Sequence, residues 1–263
     1  MTANLNWTRE EHLLAFNLYC QIPFGRFHNR NPVIQHLAGI LGRSVNSVAL
    51  KLSNFARLDP ALQARGIHGM AHGAKGEVEV WDEFRANPEA LAFESLRLMA
   101  DRLGKSVETY ADVETRDLPA AGVEREAIVR LRVNQSFFRR RVLSAYDDRC
   151  CVTGIAHKEL LTASHIVPWA IDPANRLNPR NGLCLNALHD RAFDRGLMWV
   201  DDDFTIRFAP RLLSAPAKGD EPLRWMCGFQ GKQLQLPEKF TPDLALLRRH
   251  ADAAKSLTQS PRS

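Results

Sequence analysis

Residues 160–197 constrain this chain more than any other stretch, because four kinds of segment follow one another there with polar side chains at the junctions. Leu160 to Val167 is rich enough in β-formers to make a strand, and Pro168-Trp169 ends it by removing a backbone donor. Ala170 to Arg180, with Pro173, Asn175, Asn178 and Pro179, must be a loop. Asn181-Gly182 reads as a hairpin turn. Leu183 to Leu188 then forms a second strand end that leads into a helix starting near His189. A hairpin running directly into a helix draws His165, Asn181 and His189 toward one place.

Those residue types suit hydrolysis of a phosphodiester. A base must deprotonate water beside the phosphorus, and histidine, with an unperturbed pKa of roughly 6.5, keeps a neutral nitrogen at pH 7. A divalent cation must neutralise charge on the phosphate oxygens, and a third group must hold the base in one tautomer and orientation. Taken singly, each residue has an ordinary explanation. A strand histidine packs, Asn-Gly turns, and His189-Asp190 caps a helix in favour of its dipole. The combination in order is what carries weight.

The surrounding pattern extends the case. Gln135, Phe138 and Arg139 precede Tyr146, and Cys150 to Gly154 makes a Cys-x-x-Thr-Gly turn. Then come His165-Ile166-x-Pro168-Trp169, Asn181-Gly182-Leu183-x-Leu185 and Leu188-His189-Asp190-x-x-Phe193-Asp194-x-Gly196. From about Gln135 to Phe208, somewhat over a quarter of the chain, the sequence resembles the HNH (ββα-metal) endonuclease family, particularly its restriction endonuclease branch.

The resemblance implies roles residue by residue. His165 resembles the general base, Asn181 the central asparagine that ties the loop together, and His189 the metal-ligating histidine of the helix. Asp190 and Asp194 become supports that reach the metal or orient His189, and Arg191 and Arg195 phosphate contacts. Two departures follow. Many relatives carry Asp or His as a metal ligand just before the base, whereas Ser164 stands there in this chain. A hydroxyl is a poor ligand, so the metal is expected to be held mainly by His189, a helix carboxylate and the phosphate, which suits Mg²⁺, with Mn²⁺ as the alternative. Relatives with two Cys-x-x-Cys pairs hold a structural zinc. The five cysteines here form no such pair, so structural Zn²⁺ is not expected.

The rest of the chain reads as helical. Trp7-Thr8-Arg9-Glu10-Glu11 carries a capping box, followed by Leu13, Leu14, Phe16, Leu18 and Tyr19 as a buried face. Val33 to Leu41 and Val45 to Phe55 are short helices separated by Gly42-Arg43-Ser44, with Gly42 supplying a positive φ and Ser44 a cap. This is a helix-turn-helix arrangement. The run Leu37 to Val48 resembles the second and third helices of Myb-like tri-helical DNA-binding domains, which would turn Arg43, Asn46, Ser47 and Lys51 toward DNA. His68 and His72 sit four apart between glycines, where no stable helix and hence no metal pair is expected. An amphipathic helix over Pro88 to Leu103 ends at Gly104, and Asp117 to Gly122 reads as a linker. Asn134 to Tyr146 reads as a helix with Phe137, Phe138, Val142, Leu143 and Tyr146 inside and Arg139, Arg140 and Arg141 outside. Short strands around Asp201-Asp202-Asp203 and a closing helix over Asp243 to Ser256 complete the chain.

The expected fold class is therefore α+β. It comprises a helix-turn-helix-like domain over residues 1–75, a helical connector and linker over 76–133, and a ββα-metal nuclease domain over 134–263. The net charge of +5 suits DNA as a partner, with Arg139, Arg140 and Arg180 added to the candidate phosphate contacts. No apolar run is long enough to span a bilayer, and Met1 to Trp7 lacks a signal-peptide pattern, so a cytoplasmic protein without membrane contact is expected. A homodimer is compatible with cutting both strands. The function these readings imply is metal-dependent DNA cleavage in restriction of foreign DNA. A non-catalytic DNA-binding regulator and a ligand-gated effector nuclease are the alternatives from other classes.

Overall fold

A computed structural model describes residues 6–66, 73–85, 87–111, 119, 121–214 and 220–259. The fold is mixed α+β and divides into two compact units, Met1–Arg141 and Val142–Ser263. Among the described residues no helix is long and apolar enough to cross a membrane.

The first unit is helical. Helix α1 (Arg9–Gln21) opens on the capping box read from the sequence: Thr8 Oγ1 accepts from the Glu11 amide at 3.2 Å and Glu11 Oε2 from the Thr8 amide at 2.8 Å. Asn31 caps α2 (Pro32–Leu41), and Gly42 ends it at φ 63°, ψ 28°. Ser44 then caps α3 (Val45–Ala56) with 3.2 Å to the Ser47 amide. A single turn, α4 (Pro60–Gln63), follows. Helices α5 (Lys75–Phe84) and α6 (Pro88–Arg102) both pack on α1, and Phe16, Tyr19 and Phe55 form its aromatic core. The short α7 (Val107–Tyr110) rests on α6.

Two features of this unit lay outside the sequence reading. Helix α5 falls at the start of the stretch expected as a helical connector but is not an element the sequence reading singles out, because its anchor is tertiary. Glu77 is fully buried and accepts from Lys51, from Asn54 at 2.9 Å and from the Ala74 amide at 3.1 Å. Helix α8 (Val123–Ala145) begins well before Asn134 and belongs to this unit through Arg141. Its Arg141 is buried, not outside as expected. Position 141 lies four residues after Phe137 and three after Phe138, so it shares their inward stripe and its guanidinium lies over the Phe137 ring at 5.2 Å. His68 and His72, and Asp117 and Leu118 of the expected linker, lie outside the described residues.

The second unit holds two small antiparallel sheets. Strands β1 (Leu161–His165) and β2 (Gly182–Asn186) pair with Leu161 opposite Asn186 and His165 opposite Gly182. Helix α9 (Ala187–Asp194) packs on both. Strands β3 (Met198–Val200) and β4 (Ile206–Phe208) flank the Asp201–Asp203 turn as expected. Helices α10 (Pro210–Leu213) and α11 (Glu221–Cys227) precede α12 (Leu244–Gln259), which packs on β3 through Ala251 and Ala254 against Trp199.

Candidate active site at the β1–β2–α9 junction

The Asn181-Gly182 pair is not the hairpin turn the sequence suggested. Asn181 closes a 3-10 turn, Pro179–Asn181, and Gly182 is extended at φ −132°, already the first residue of β2. The connection from β1 is the whole loop of residues 166–181, and Asn181 holds it shut. Its Oδ1 accepts from the Val167 amide at 2.8 Å, while Nδ2 donates to the Val167 and Asn175 carbonyls at 3.0 and 3.1 Å. The Asn181 carbonyl accepts from the Ile166 amide at 2.9 Å. Regular pairing stops at His165, and one fully buried asparagine satisfies the backbone groups that come next.

His165 ends β1, half-buried. Its Nε2 is 2.9 Å from the Arg176 carbonyl, which can only accept, so Nε2 carries the proton and Nδ1 is the basic nitrogen of the neutral ring. Trp169 meets the ring edge-on at 5.6 Å, and Arg176 donates to the Trp169 carbonyl at 3.0 Å. Burial pushes the His165 pKa below its ordinary value, against the upward pull of the Arg176 carbonyl. The ring is therefore neutral at pH 7.

Asn186, which the sequence reading passed over, sets the phase of α9. Its Oδ1 accepts from the Leu188 and His189 amides at 3.1 Å each, a regular N-cap. Its Nδ2 donates to Thr153 Oγ1 at 3.2 Å, and its own amide to Cys150 Sγ at 3.3 Å, tying the 150–154 turn to the helix start. An asparagine just before a helix pattern is a cap signal, and it places the first helical residue at Ala187, two before His189.

That phase separates the two residues that follow one another at 189 and 190. His189 is fully buried with Nδ1 against the Asn186 amide group, at 3.0 Å from Nδ2 and 3.2 Å from Oδ1. Its ring sits among Phe208, Trp225 and Phe229, with centroids 6.1, 5.7 and 5.5 Å away. Burial lowers its pKa, opposed by the nearby Met226 carbonyl, yet no hydrogen bond of normal geometry reaches Nε2.

Asp190 instead faces β1. Burial raises its pKa, with the Ser164 and Thr162 hydroxyls and Arg191 acting the other way. Thr162 and Ser164 alternate with Ala163 and His165 along β1 and so share the strand face that meets Asp190. Asp194, one turn further along and more exposed, is also shifted upward, by burial and then by the charge of Asp190, against Arg191 and Arg195. Ser164 is 3% exposed, and its Oγ makes no hydrogen bond of normal geometry. Among the described residues, no group of three or more His, Cys, Asp or Glu side chains stands close enough to hold a metal ion. Any cation here needs hydroxyl, phosphate or water oxygens as well.

The remaining candidates divide. Arg180, Arg191 and Arg195 are exposed on the second unit, with Arg180 donating to the Thr241 carbonyl at 3.1 Å. On the first unit, Arg140 is exposed and Arg139 half-buried. Arg43 forms a two-point pair with Glu11, at 2.9 and 2.8 Å, and Lys51 is buried on Glu77. Asn46 and Ser47 remain on the outer side of α3, with Asn46 accepting from Asn29 at 3.1 Å.

A family model described as HNH endonuclease matches residues 150–201, the span from the Cys150 turn through β1, β2, α9 and β3. No curated protein matches the chain.

Proposed function

With an HNH endonuclease segment at residues 150–201 as the premise, we propose that this chain is a metal-dependent nuclease that hydrolyses DNA phosphodiester bonds. The observation that carries this reading is His165. It is a neutral imidazole with its tautomer fixed by the Arg176 carbonyl, at the mouth of a loop strapped by Asn181. His165 Nδ1 takes the proton from the attacking water, and the Nε2–H bond spreads the charge that develops on the ring. Asn181 holds the 166–181 loop, and through it the Arg176 carbonyl, so that the ring keeps one orientation.

The residues of α9 and β1 fit a divalent cation. Asp190, with the Ser164 and Thr162 hydroxyls beside it, and Asp194 one turn further along α9 make an oxygen-rich edge of the helix. Asp190 and Asp194 would hold the ion, Mg²⁺ before Mn²⁺ because the donors are hard oxygens. Such an ion supplies positive charge to the phosphate and to the departing 3′ oxygen. Arg180, Arg191 and Arg195 of the second unit contact neighbouring phosphates, and Arg139 and Arg140 do so on the first unit. The first unit binds DNA through the outer side of α3, where Asn46 and Ser47 are available and Lys51 is not. Restriction of foreign DNA is the role this combination serves.

The test is plasmid cleavage by the full chain with Mg²⁺, Mn²⁺ or EDTA, on modified and unmodified DNA, beside His165→Ala. The expected result is metal-dependent nicking or linearisation that drops by about 10²–10⁴-fold in the variant. A folded parent that binds DNA and cuts none of these substrates would overturn the enzyme reading in favour of a regulator. Equal cutting by parent and variant would remove His165 as the base.

A further inference from the structure

A cavity of about 430 Å³ lies between the N-terminal halves of α1 and α5 in the first unit. Trp7 and His12 line it on the α1 side, Gly76 and Glu79 on the α5 side, and Lys51 from α3. Its size falls within the range of small-ligand sites, on the order of 300–1,000 Å³.

His12 gives this cavity its chemistry. The residue is 3% exposed, and its Nδ1 lies 2.8 Å from the Thr8 carbonyl, which can only accept. Nδ1 therefore carries the proton, and Nε2 of the neutral ring is a lone-pair acceptor. Burial favours that neutral form. Among the described residues Nε2 has no hydrogen-bond partner, and it is shielded from water. A buried acceptor without a donor is costly, and a donor on a bound molecule recovers that cost. The ring is also fixed. The Thr8 carbonyl holds one edge, and Gly76 packs so near the other that a Cβ there would come to 2.9 Å from Cε1.

The charged groups around the cavity are already matched. Lys51 pairs with Glu77, Arg9 with Glu83 at 2.6 Å and Glu94 at 2.9 Å, and Glu79 with Lys75 at 3.4 Å. An anion meets cations that carboxylates have claimed, and an acceptor nitrogen that offers it nothing. A cation meets Arg9 and Lys51. The occupant that fits is neutral and brings a donor. Trp7 adds a half-exposed aromatic wall, with the Arg43 guanidinium and the Lys51 ammonium each 4.9 Å from its ring centre to hold it. An aromatic wall beside a buried acceptor suits a flat heteroaromatic ring with an N–H on its edge. A base taken out of its stack is read in that way, by hydrogen bonds to its edge and contact with aromatic side chains.

We propose that the cavity between α1 and α5 binds a nucleobase, whose amino group donates to His12 Nε2 beside Trp7. The base arrives as a free nucleoside or as a nucleotide turned out of DNA, and the recognition chemistry is the same for both. The assignment concerns the first unit alone and holds whether or not the second unit cuts DNA.

2-Aminopurine is the probe, because it carries an amino group and its fluorescence reports whether it is stacked. The full chain is titrated with 2-aminopurine deoxyriboside, and separately with a duplex bearing 2-aminopurine opposite an abasic site, beside His12→Phe. Saturable binding of at least one probe is expected, weakened by about three- to tenfold in His12→Phe for the loss of one hydrogen bond. Purine, which lacks the amino group, should lose the same factor in the parent when it replaces 2-aminopurine in the probe that binds. Nucleoside binding alone identifies a free nucleoside as the ligand. A rise in duplex fluorescence that His12→Phe diminishes identifies a base turned out of DNA. The imidazole ¹⁵N spectrum of the parent reads the same contact without a variant: the His12 Nε2 resonance should move when the probe is added. Neither probe binding, parent-like affinity in His12→Phe, equal affinity for purine and 2-aminopurine, or a His12 resonance that stays in place overturns the assignment. The resonance decides even where His12→Phe does not fold.

Discussion

Replacing Asn181 by alanine isolates what holds the 166–181 loop. The amide makes three contacts with main chain: it accepts from the Val167 amide and donates to the Val167 and Asn175 carbonyls. Val167 is 3% exposed, so both of its groups lose a partner that water cannot replace. Asn175 is half-buried, and its carbonyl can recover a water. Each stranded buried group costs about 1–3 kcal/mol, so the two on Val167 should make Asn181→Ala destabilise the loop by about 2–6 kcal/mol. The Val167 amide reports this directly, because Asn181 Oδ1 is its acceptor. Its hydrogen-exchange protection, measured by NMR in the full chain, should fall by about 30-fold or more, which corresponds to the lower end of that range.

A second substitution checks the cause. Asn181→Asp keeps the acceptor for Val167 but sets a carboxylate oxygen against two carbonyls. At pH 7 it should be no better than alanine. Those carbonyls and the burial raise the new carboxyl's pKa, so the native state takes up a proton more readily than the unfolded chain does. Stability relative to Asn181→Ala should therefore rise as pH falls from 8 toward 5, when the protonated acid can donate again. Val167 protection unchanged in Asn181→Ala, or no pH dependence in the difference between the variants, would refute the strap.

Other perturbations test the frame around the site. His250 stacks on Phe193 at 3.6 Å, donates to its carbonyl at 3.1 Å, and burial pulls its pKa down to about 4. Because the folded-state pKa is depressed, its contribution is complete above about pH 6.5 and is lost as pH falls toward 4, at a cost of about 2–3 kcal/mol; urea midpoints of His250→Phe should fall less over that window than those of the parent. Glu77→Ala should cost the first unit about 3–5 kcal/mol by leaving the buried Lys51 ammonium without its carboxylate, read as a lower thermal midpoint. Gly196→Ala forces φ +62° on alanine and brings a Cβ to 3.2 Å from the Ala254 Cα, so a loss of about 2–4 kcal/mol is expected by denaturant titration; a loss under about 0.5 kcal/mol would mean α12 yields freely there.

What was legible in the sequence was mostly local. The capping box at Thr8, the left-handed stop at Gly42, the cap at Ser44 and the strands around Asp201–Asp203 are all set by residues within a few positions of one another. The order of strand, loop, strand and helix that carries His165, Asn181 and His189 was equally plain. The misses are tertiary. Helix α5 is anchored by Glu77 reaching Lys51 and Asn54 of α3, more than twenty residues away, which no local window reveals. Arg141 is inward because Phe137 and Phe138 fix the stripe, although its neighbours 139 and 140 are not inward. At the site, the phase of α9 follows from its start at Ala187, two residues before the start read from the sequence. The Asn186 cap was available in the sequence and, weighed properly, would have given that phase.

The junction shows why so small a hairpin can hold a fixed site. Two strands of five residues each are marginal on their own. Here three neighbours complete them, each by bonding side chain to backbone or backbone to backbone outside the sheet. Asn181 satisfies the chain as it leaves β1. The Cys150–Gly154 turn lies along β2, with the Cys151 amide donating to the Cys184 carbonyl at 2.7 Å and the Cys151 carbonyl accepting from Gln235 at 2.9 Å. Asn186 then joins that turn to α9. The hydrogen-bonding capacity that a wider sheet would absorb is used to orient three side chains at one end. Loss of Asn186 should therefore differ from loss of a core residue. Asn186→Ala removes a cap at about 1–2 kcal/mol, and also frees α9 to start elsewhere, which turns Asp190 away from Ser164. The variant should lose Mn²⁺ affinity by more than its fall in stability accounts for, and Asn186→Asp, which keeps the cap, should recover it. Equal losses in both variants would show that the cap does not set the phase.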